Sequence, residues 1–277
     1  MLSVPYLINF CPTGVVNTKH DNPALPIAVE EIVSDCKAAL EMGCQILHLH
    51  GRCERGEQTG DPAVYGEIIT RLRATPQGQK AIICVTTTGR YQNDPESRAR
   101  VLSLEGHAKP DMASLTLSSL NFMHSASVNP PQTVEYLAAQ MLEAGIKPEL
   151  EVFDLGMLNM VYVLIRKKLI HPPFYINLLL GNIATAQANV HHLSALLAGL
   201  PSDAVVCIGG LGRYQTTANL LGLLFADGVR VGLEDNLMLD GALATNNQLI
   251  ERVIQQAQLL GKEPISLEQA RQRLLGE

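Results

Sequence analysis

Short apolar runs alternate along the chain with longer segments whose apolar residues recur at helical spacing, the pattern of parallel strands buried on both faces and joined by helices. The runs at 4–11, 44–50, 81–87, 112–117, 149–153, 174–180, 204–208 and 229–233 are predicted strands. Predicted helices cover 29–42, 63–73, 96–104, 133–143, 157–168, 190–198, 216–225 and 246–260. Punctuation agrees: Gly43 closes the first helix, glycine and proline break the chain again at Gly145 and Pro148, and Ser266 with Gln269 forms a capping box that opens a short terminal helix. Eight strand–helix pairs in 277 residues predict a (β/α)8 TIM barrel, one domain over 1–277 with a short C-terminal helical extension. A doubly wound open sheet fits the same alternation, but it does not gather the ends of strands two, three, four and eight around one axis.

Those strand ends hold the chemically unusual residues. His48 and His50 lie two apart at the end of the second strand and so share a face, as two ligands of one metal must; the alternative is a pair of histidines satisfied by hydrogen bonds. Glu234, where another apolar run ends in acid, is the best third ligand, and a His2Glu set suits an open catalytic zinc site. Arg230, Gly232 and Glu234 share one parity and should point into the barrel together, either as metal ligand plus paired arginine or as a structural ion pair. Asp235 reads as a general base or as a helix N-cap. Thr86, Thr87 and Gly89 close strand three with groups suited to a carboxylate, although threonine also favours strands. Ser114 and Thr116 close strand four, and Glu151 and Asp154 are inward polar groups of strand five or part of its exit turn. Gly209, Gly210, Gly212 and Arg213 form a glycine-rich strand-to-helix turn that either cradles an anion on its backbone N–H groups or is simply tight. His20 and His124 fall in loops over the expected mouth, whereas His107, His171, His191 and His192 have no partner spacing.

Composition narrows the partners. A net charge of −6 without a basic cluster excludes a nucleic-acid face. The six cysteines form no CxxC pair, and no apolar run is long enough to span a membrane, so a reduced cytoplasmic setting is expected. Apolar stretches in exterior helices, 195–200 and 220–225, suggest oligomer contacts as an alternative to ordinary helix burial.

The five motifs His-Leu-His-Gly-Arg at 48–52, Thr-Thr-Thr-Gly at 86–89, Met-Ala-Ser-Leu-Thr at 112–116, Gly-Gly-Leu-Gly-Arg at 209–213 and Gly-Leu-Glu-Asp-Asn at 232–236 resemble, in this order, those of the β-keto acid cleavage enzymes. The resemblance implies a zinc-dependent barrel, a homotetramer, that condenses a β-keto acid with acetyl-CoA to give acetoacetate and a new CoA thioester. It assigns His48, His50 and Glu234 to the metal, Thr86 and Ser114 to the substrate carboxylate, Asp235 to the general base, Arg230 to its orientation and Glu151 to the acid completing that group. Because Asp235 and Arg230 differ in parity, the strand must turn for both to meet. Val16 stands where the aminohexanoate-cleaving members carry a glutamate for the substrate's amino group, which implies a neutral or apolar β-keto acid. Gly51, where a branched apolar residue is usual, either enlarges the pocket or relaxes the loop. The competing readings are a metal-dependent aldolase or hydrolase, which needs no acetyl-CoA, and a silent barrel that binds an acyl-CoA.

Overall fold

The computed structural model describes residues 5–277. Eight parallel strands close into a barrel in sequence order: β1 Leu7–Phe10, β2 Ile46–Leu49, β3 Ile82–Val85, β4 Met112–Thr116, β5 Lys147–Val152, β6 Phe174–Leu180, β7 Ala204–Gly210 and β8 Gly228–Val231, with β8 pairing back onto β1. The outer helices are α1 Val29–Glu41, α2 Pro62–Arg73, α3 Pro95–Ala99, α4 Pro131–Ala144, α5 Leu155–Arg166, α6 Val190–Ala198, α7 Gln215–Phe225 and α8 Asn246–Leu259. A last helix, α9 Leu267–Leu275, is opened by the expected reciprocal box of Ser266 and Gln269. The (β/α)8 expectation therefore holds.

Several boundaries differ from the sequence reading, and the predicted first strand's Val4 lies outside the described residues. Asp154 is a helix cap: its carboxylate accepts from the Met157 N–H and starts α5 two residues early. The expected third helix divides into α3 and a 3-10 turn at Arg100–Ser103. A short helix at Pro76–Lys80 escaped the periodicity because one turn carries no repeat, although Thr75 caps it and Pro76 begins it. Two-stranded ribbons, Leu120–Asn121 with Ala126–Ser127 and Met238–Leu239 with Ala242–Leu243, lie in the loops after β4 and β8.

Inside the barrel the inward positions are layered. Leu7, Ile46, Ile82, Met112, Tyr175 and Val205 form an apolar lower layer, plugged from below by Ile265, Ala270 and Leu274 of the C-terminal segment. Two residues beyond Leu7, Ile46 and Tyr175, on the same face, come Asn9, His48 and Asn177, joined from β5 and β8 by Glu149 and Arg230, all buried. The register sets Asn9 beside Arg230, Thr116 beside Glu151 and Glu151 beside Asn177. Polar groups are thus concentrated at the end from which the βα loops emerge, on an apolar floor.

Candidate active site

His48 and His50 point to one face, as their spacing requires, with Nε2 atoms 3.1 Å apart. Glu149 fixes the first ring: its Oε1 accepts from His48 Nδ1 at 2.6 Å, which turns Nε2 toward His50 and Glu234. Glu234 Oε1 lies 3.2 Å from His50 Nε2 and 3.7 Å from His48 Nε2. Three electron-pair donors thus converge; ligands about 2.0 Å from a tetrahedral ion stand about 3.3 Å apart. Glu234 Oε2 is also buried without a hydrogen-bond partner. These observations fit a divalent cation held by His48, His50 and Glu234, with Glu149 as the outer carboxylate that orients a ligating imidazole.

Electrostatics sets the two rings apart. Burial disfavours a charged His48, but the Glu149 carboxylate outweighs it and raises the imidazole pKa. For His50 burial wins and the pKa falls. Burial opposes charge on Glu234 too, yet His50, Arg230 and His48 together hold it well below the usual carboxylate range.

Arg230, fully buried in β8, is the hub. Its Nε donates to Asp235 Oδ2 at 2.9 Å and its Nη2 to Glu234 Oε1 at 2.6 Å, while Nη1 lies 3.6 Å from both Glu149 and Glu151. The parity problem is solved by a turn: β8 ends at Val231, and the amides of Asp235 and Asn236 fold back onto the Gly232 carbonyl. Gly232 sits at φ +150° with the Cys11 carbonyl 2.0 Å from where a Cβ would be, so no larger residue fits. Asp235 is therefore not a helix cap; Thr245 caps α8. Burial, Arg230 opposing it and Glu234 adding to it, raises the Asp235 pKa. Glu151 points inward, takes a 2.6 Å hydrogen bond from the Thr116 hydroxyl and is likewise raised by burial.

Above these groups lies a cavity of about 130 Å³ lined by His50, Thr86, Thr116, Glu151, Arg230, Glu234 and Asp235, with Val16 and Arg90 at its outer wall. It opens into a cleft of about 810 Å³ bordered by His124, Gly212, Arg213 and Tyr214. Ser114 lies just behind Thr86, their hydroxyls 3.4 Å apart. Thr87 and Gly89 do not line the cavity: the Thr87 hydroxyl donates to the Ser114 carbonyl, and Gly89 packs against the Arg98 guanidinium. Thr88 does line it. In the glycine-rich turn the Gly212 N–H donates to the Asp235 carbonyl and Gly210 packs on the Tyr214 backbone, so these residues brace the Asp235 turn. The exposed Arg213 guanidinium remains at the cleft. Gly51 does not enlarge the pocket, since the Tyr65 ring would lie 2.8 Å from an added Cβ and already fills the space.

Four contributors went unremarked in the sequence. Glu149 follows from the same i, i+2 rule as the histidines, because Glu149 and Glu151 share a face. Asn9, which donates to Glu149 Oε2 at 2.8 Å, is a polar residue inside an apolar run and was detectable as such. Arg52 donates to the carbonyls of Gly14, Gly56 and Asn17 and pins the loop that carries Val16. Arg90 is placed by a loop conformation that periodicity does not encode.

The β-keto acid cleavage enzyme family model matches residues 5–275. The 3-keto-5-aminohexanoate cleavage enzyme of Fusobacterium nucleatum is 32% identical over 264 residues, covering 94% of both chains. The 3-oxoadipate:acetyl-CoA acetyltransferase of Cupriavidus necator is 34% identical over 281 residues, 99% of this chain and 96% of that one. Among solved structures the apo form of ObcA superposes with a TM-score of 0.80 at 19% identity, over 91% of this chain and 65% of that chain, a likeness of fold. With its barrel, its His48–His50–Glu234 cluster and a family match over nearly its whole length, the protein belongs to the β-keto acid cleavage enzyme family.

Proposed function

We propose that this enzyme converts a β-keto acid and acetyl-CoA into acetoacetate and the CoA thioester of the remaining acyl group. The observation that carries the reading is the contact of two assemblies in one cavity: the His48–His50–Glu234 cluster and the Asp235 carboxylate clamped by Arg230. His48, His50 and Glu234 would hold a divalent metal, proposed to be zinc. When bound, such an ion supplies Lewis-acid polarisation of the substrate ketone.

The protein's own groups do the rest. The Thr86 hydroxyl binds the carboxylate with the Ser114 hydroxyl, which does not line the cavity, supporting it from behind; Thr116 and Glu151 also line the cavity, and the cleft near Arg213 admits acetyl-CoA. Asp235, held by two guanidinium hydrogen bonds, removes a proton from the carbon between ketone and carboxylate. That carbon bonds to the acetyl carbonyl as the acetyl C–S bond breaks and CoA leaves as its thiolate; the thiolate adds to the original ketone carbon, the bond from that carbon to the former methylene carbon breaks, and the acetoacetate carbanion so released takes the proton back from Asp235. The displaced acyl group ends on the CoA sulfur. Val16 offers no carboxylate to a cationic side chain, and on that residue alone the substrate's side chain would be neutral.

The test is acetoacetate formation by the zinc-loaded protein from a panel of β-keto acids, with and without acetyl-CoA. Turnover that requires acetyl-CoA is expected; turnover without it would replace this reading by an aldolase or hydrolase, and none at all by a binding protein. No helix among the described residues is long and apolar enough to cross a membrane. Leu220, Leu224 and Phe225 on the outside of α7 remain exposed and fit the proposed homotetramer, which sedimentation of the protein would read.

A further inference from the structure

Arg90 is the cation in the cavity wall that the proposed chemistry does not use. It lines both the inner cavity and the outer cleft, at the junction that it shares with Val16, Phe122 and Leu211. Its guanidinium carbon lies 3.6 Å from the centroid of the Phe122 ring, a stacking contact that restrains the side chain. Its Nε is buried with no hydrogen-bond partner, and among the described residues no carboxylate lies within ion-pairing distance of it. The other arginine of the cavity, Arg230, is saturated by Asp235 and Glu234.

A partly desolvated guanidinium left without an anion is costly, and its planar fork matches a carboxylate in two-point contact. In the proposed function the carboxylate common to all β-keto acids is already taken by the Thr86 hydroxyl, with Ser114 behind it. Val16 marks the side-chain end of the cavity, and Arg90 stands in the same wall. We infer that Arg90 is a specificity-determining residue that binds a second anionic group at the far end of the side chain, making a β-keto diacid the preferred substrate. The neutral side chain expected from Val16 alone ignores this charge, which becomes visible only once the loop after β3 is placed.

The inference rests on the β-keto acid reading of the site, so its test separates the two. Two β-keto acids of equal length, one ending in a carboxylate and one in a methyl group, are compared in wild type, Arg90→Gln and Arg90→Lys. Both turnover and calorimetric binding to the zinc-loaded protein without acetyl-CoA are measured. Wild type should prefer the diacid. Arg90→Gln should lower its kcat/KM, mainly through KM, by about 10- to 100-fold more than that of the methyl-ended acid, with partial recovery in Arg90→Lys. Equal losses for both acids would assign Arg90 to the shared carboxylate, and a raised KM for acetyl-CoA alone would assign it to the CoA phosphates; either overturns the inference. If nothing turns over but diacid binding still depends on Arg90, the subsite stands and the proposed reaction falls. Turnover without diacid preference has the opposite meaning.

Discussion

At the base of the barrel Asp111 accepts from Arg73 at 3.0 Å, Arg271 at 3.1 Å and the Ile83 amide at 2.8 Å, so both of its oxygens are met by donors. At the mouth Glu234 takes one donor, from Arg230, and turns the rest of its carboxylate toward two imidazole nitrogens and empty hydrogen-bonding capacity. Asp227 at the base follows the first pattern, with Arg273 on one oxygen and the Val206 amide on the other. Both ends gather charge where strands meet loops; only one leaves acceptors facing acceptors. A fold that needed only stability would satisfy both ends alike, so unspent hydrogen-bonding capacity, rather than charge density, marks the end where chemistry occurs.

The largest effects should come from removing the mouth's unsatisfied acceptors. Glu234→Gln keeps the shape but weakens the third ligand, and loss of several kcal/mol of electrostatic catalysis corresponds to at least about a thousandfold in kcat. Metal analysis of the purified variant should show lost zinc, while the melting temperature of the metal-free forms stays close to wild type. An active, zinc-replete variant would reduce Glu234 to a partner of Arg230. Asp235→Asn removes the proposed base while leaving His48, His50 and Glu234 in place, and should cost about 10²- to 10⁴-fold in kcat with metal content unchanged. Exchange of the substrate's methylene hydrogens with solvent, followed by NMR, should slow in parallel; unchanged exchange would move the proton transfer to another group.

The sequence showed more of one region than of the other. Strands and their inward faces were legible because a period of two is a property of adjacent residues, and it placed His48, His50 and Arg230 correctly on the inside; Glu234 reaches the same cluster from the turn beyond β8, not by the strand parity that suggested it. Glu149 obeys the same rule, and was overlooked beside the more exposed Glu151. The turn that lets Asp235 reach Arg230 was deducible from parity, but its geometry depends on Gly232 lying against the Cys11 carbonyl, a contact between distant segments. Thr87 and Gly89 show the reverse case: their motif suggested substrate contact, whereas the Ser114 carbonyl and Arg98 claim them. The loop residues Arg52 and Arg90 were invisible, since a long side chain on an irregular segment has no fixed direction until the loop folds. The base network was likewise hidden, because Asp111, Arg73 and Arg271 come from three distant parts of the chain.

Glu149 tests the boundary between the two patterns. It is buried and well satisfied, by His48 and Asn9, yet it touches the mouth cluster. Burial raises the cost of its charge, but His48 and Arg230 hold its pKa below the ordinary value. Glu149→Gln would still hydrogen-bond His48 but not supply a full negative charge to it. Zinc affinity should drop about 10- to 100-fold, measured by competition with a chromogenic chelator, with a matching activity loss restored by excess zinc. If affinity is unchanged, Glu149 belongs with the base as a purely structural acid.

Asp111→Asn sharpens the comparison from the other side. The replacement amide is neutral, so Arg73 and Arg271 both lose this anionic partner, and whichever of them faces the NH2 group also loses its acceptor; Arg271 keeps Glu277. The side chains of Asp111, Arg73 and Arg271 are 10–18% exposed, which lets water take part of the lost interaction and keeps the penalty below that of a fully buried pair. A destabilisation of about 1–2 kcal/mol is therefore expected in urea unfolding of the metal-loaded protein, if unfolding is reversible. The β-keto acid kinetics should not change, because Tyr175, Met112 and the other apolar residues of the lower layer separate Asp111's end of the barrel from the cavity. A fall in kcat without a fall in stability would mean that the apolar floor transmits the state of the base to the site, and the division between a satisfied end and a reactive one would no longer hold.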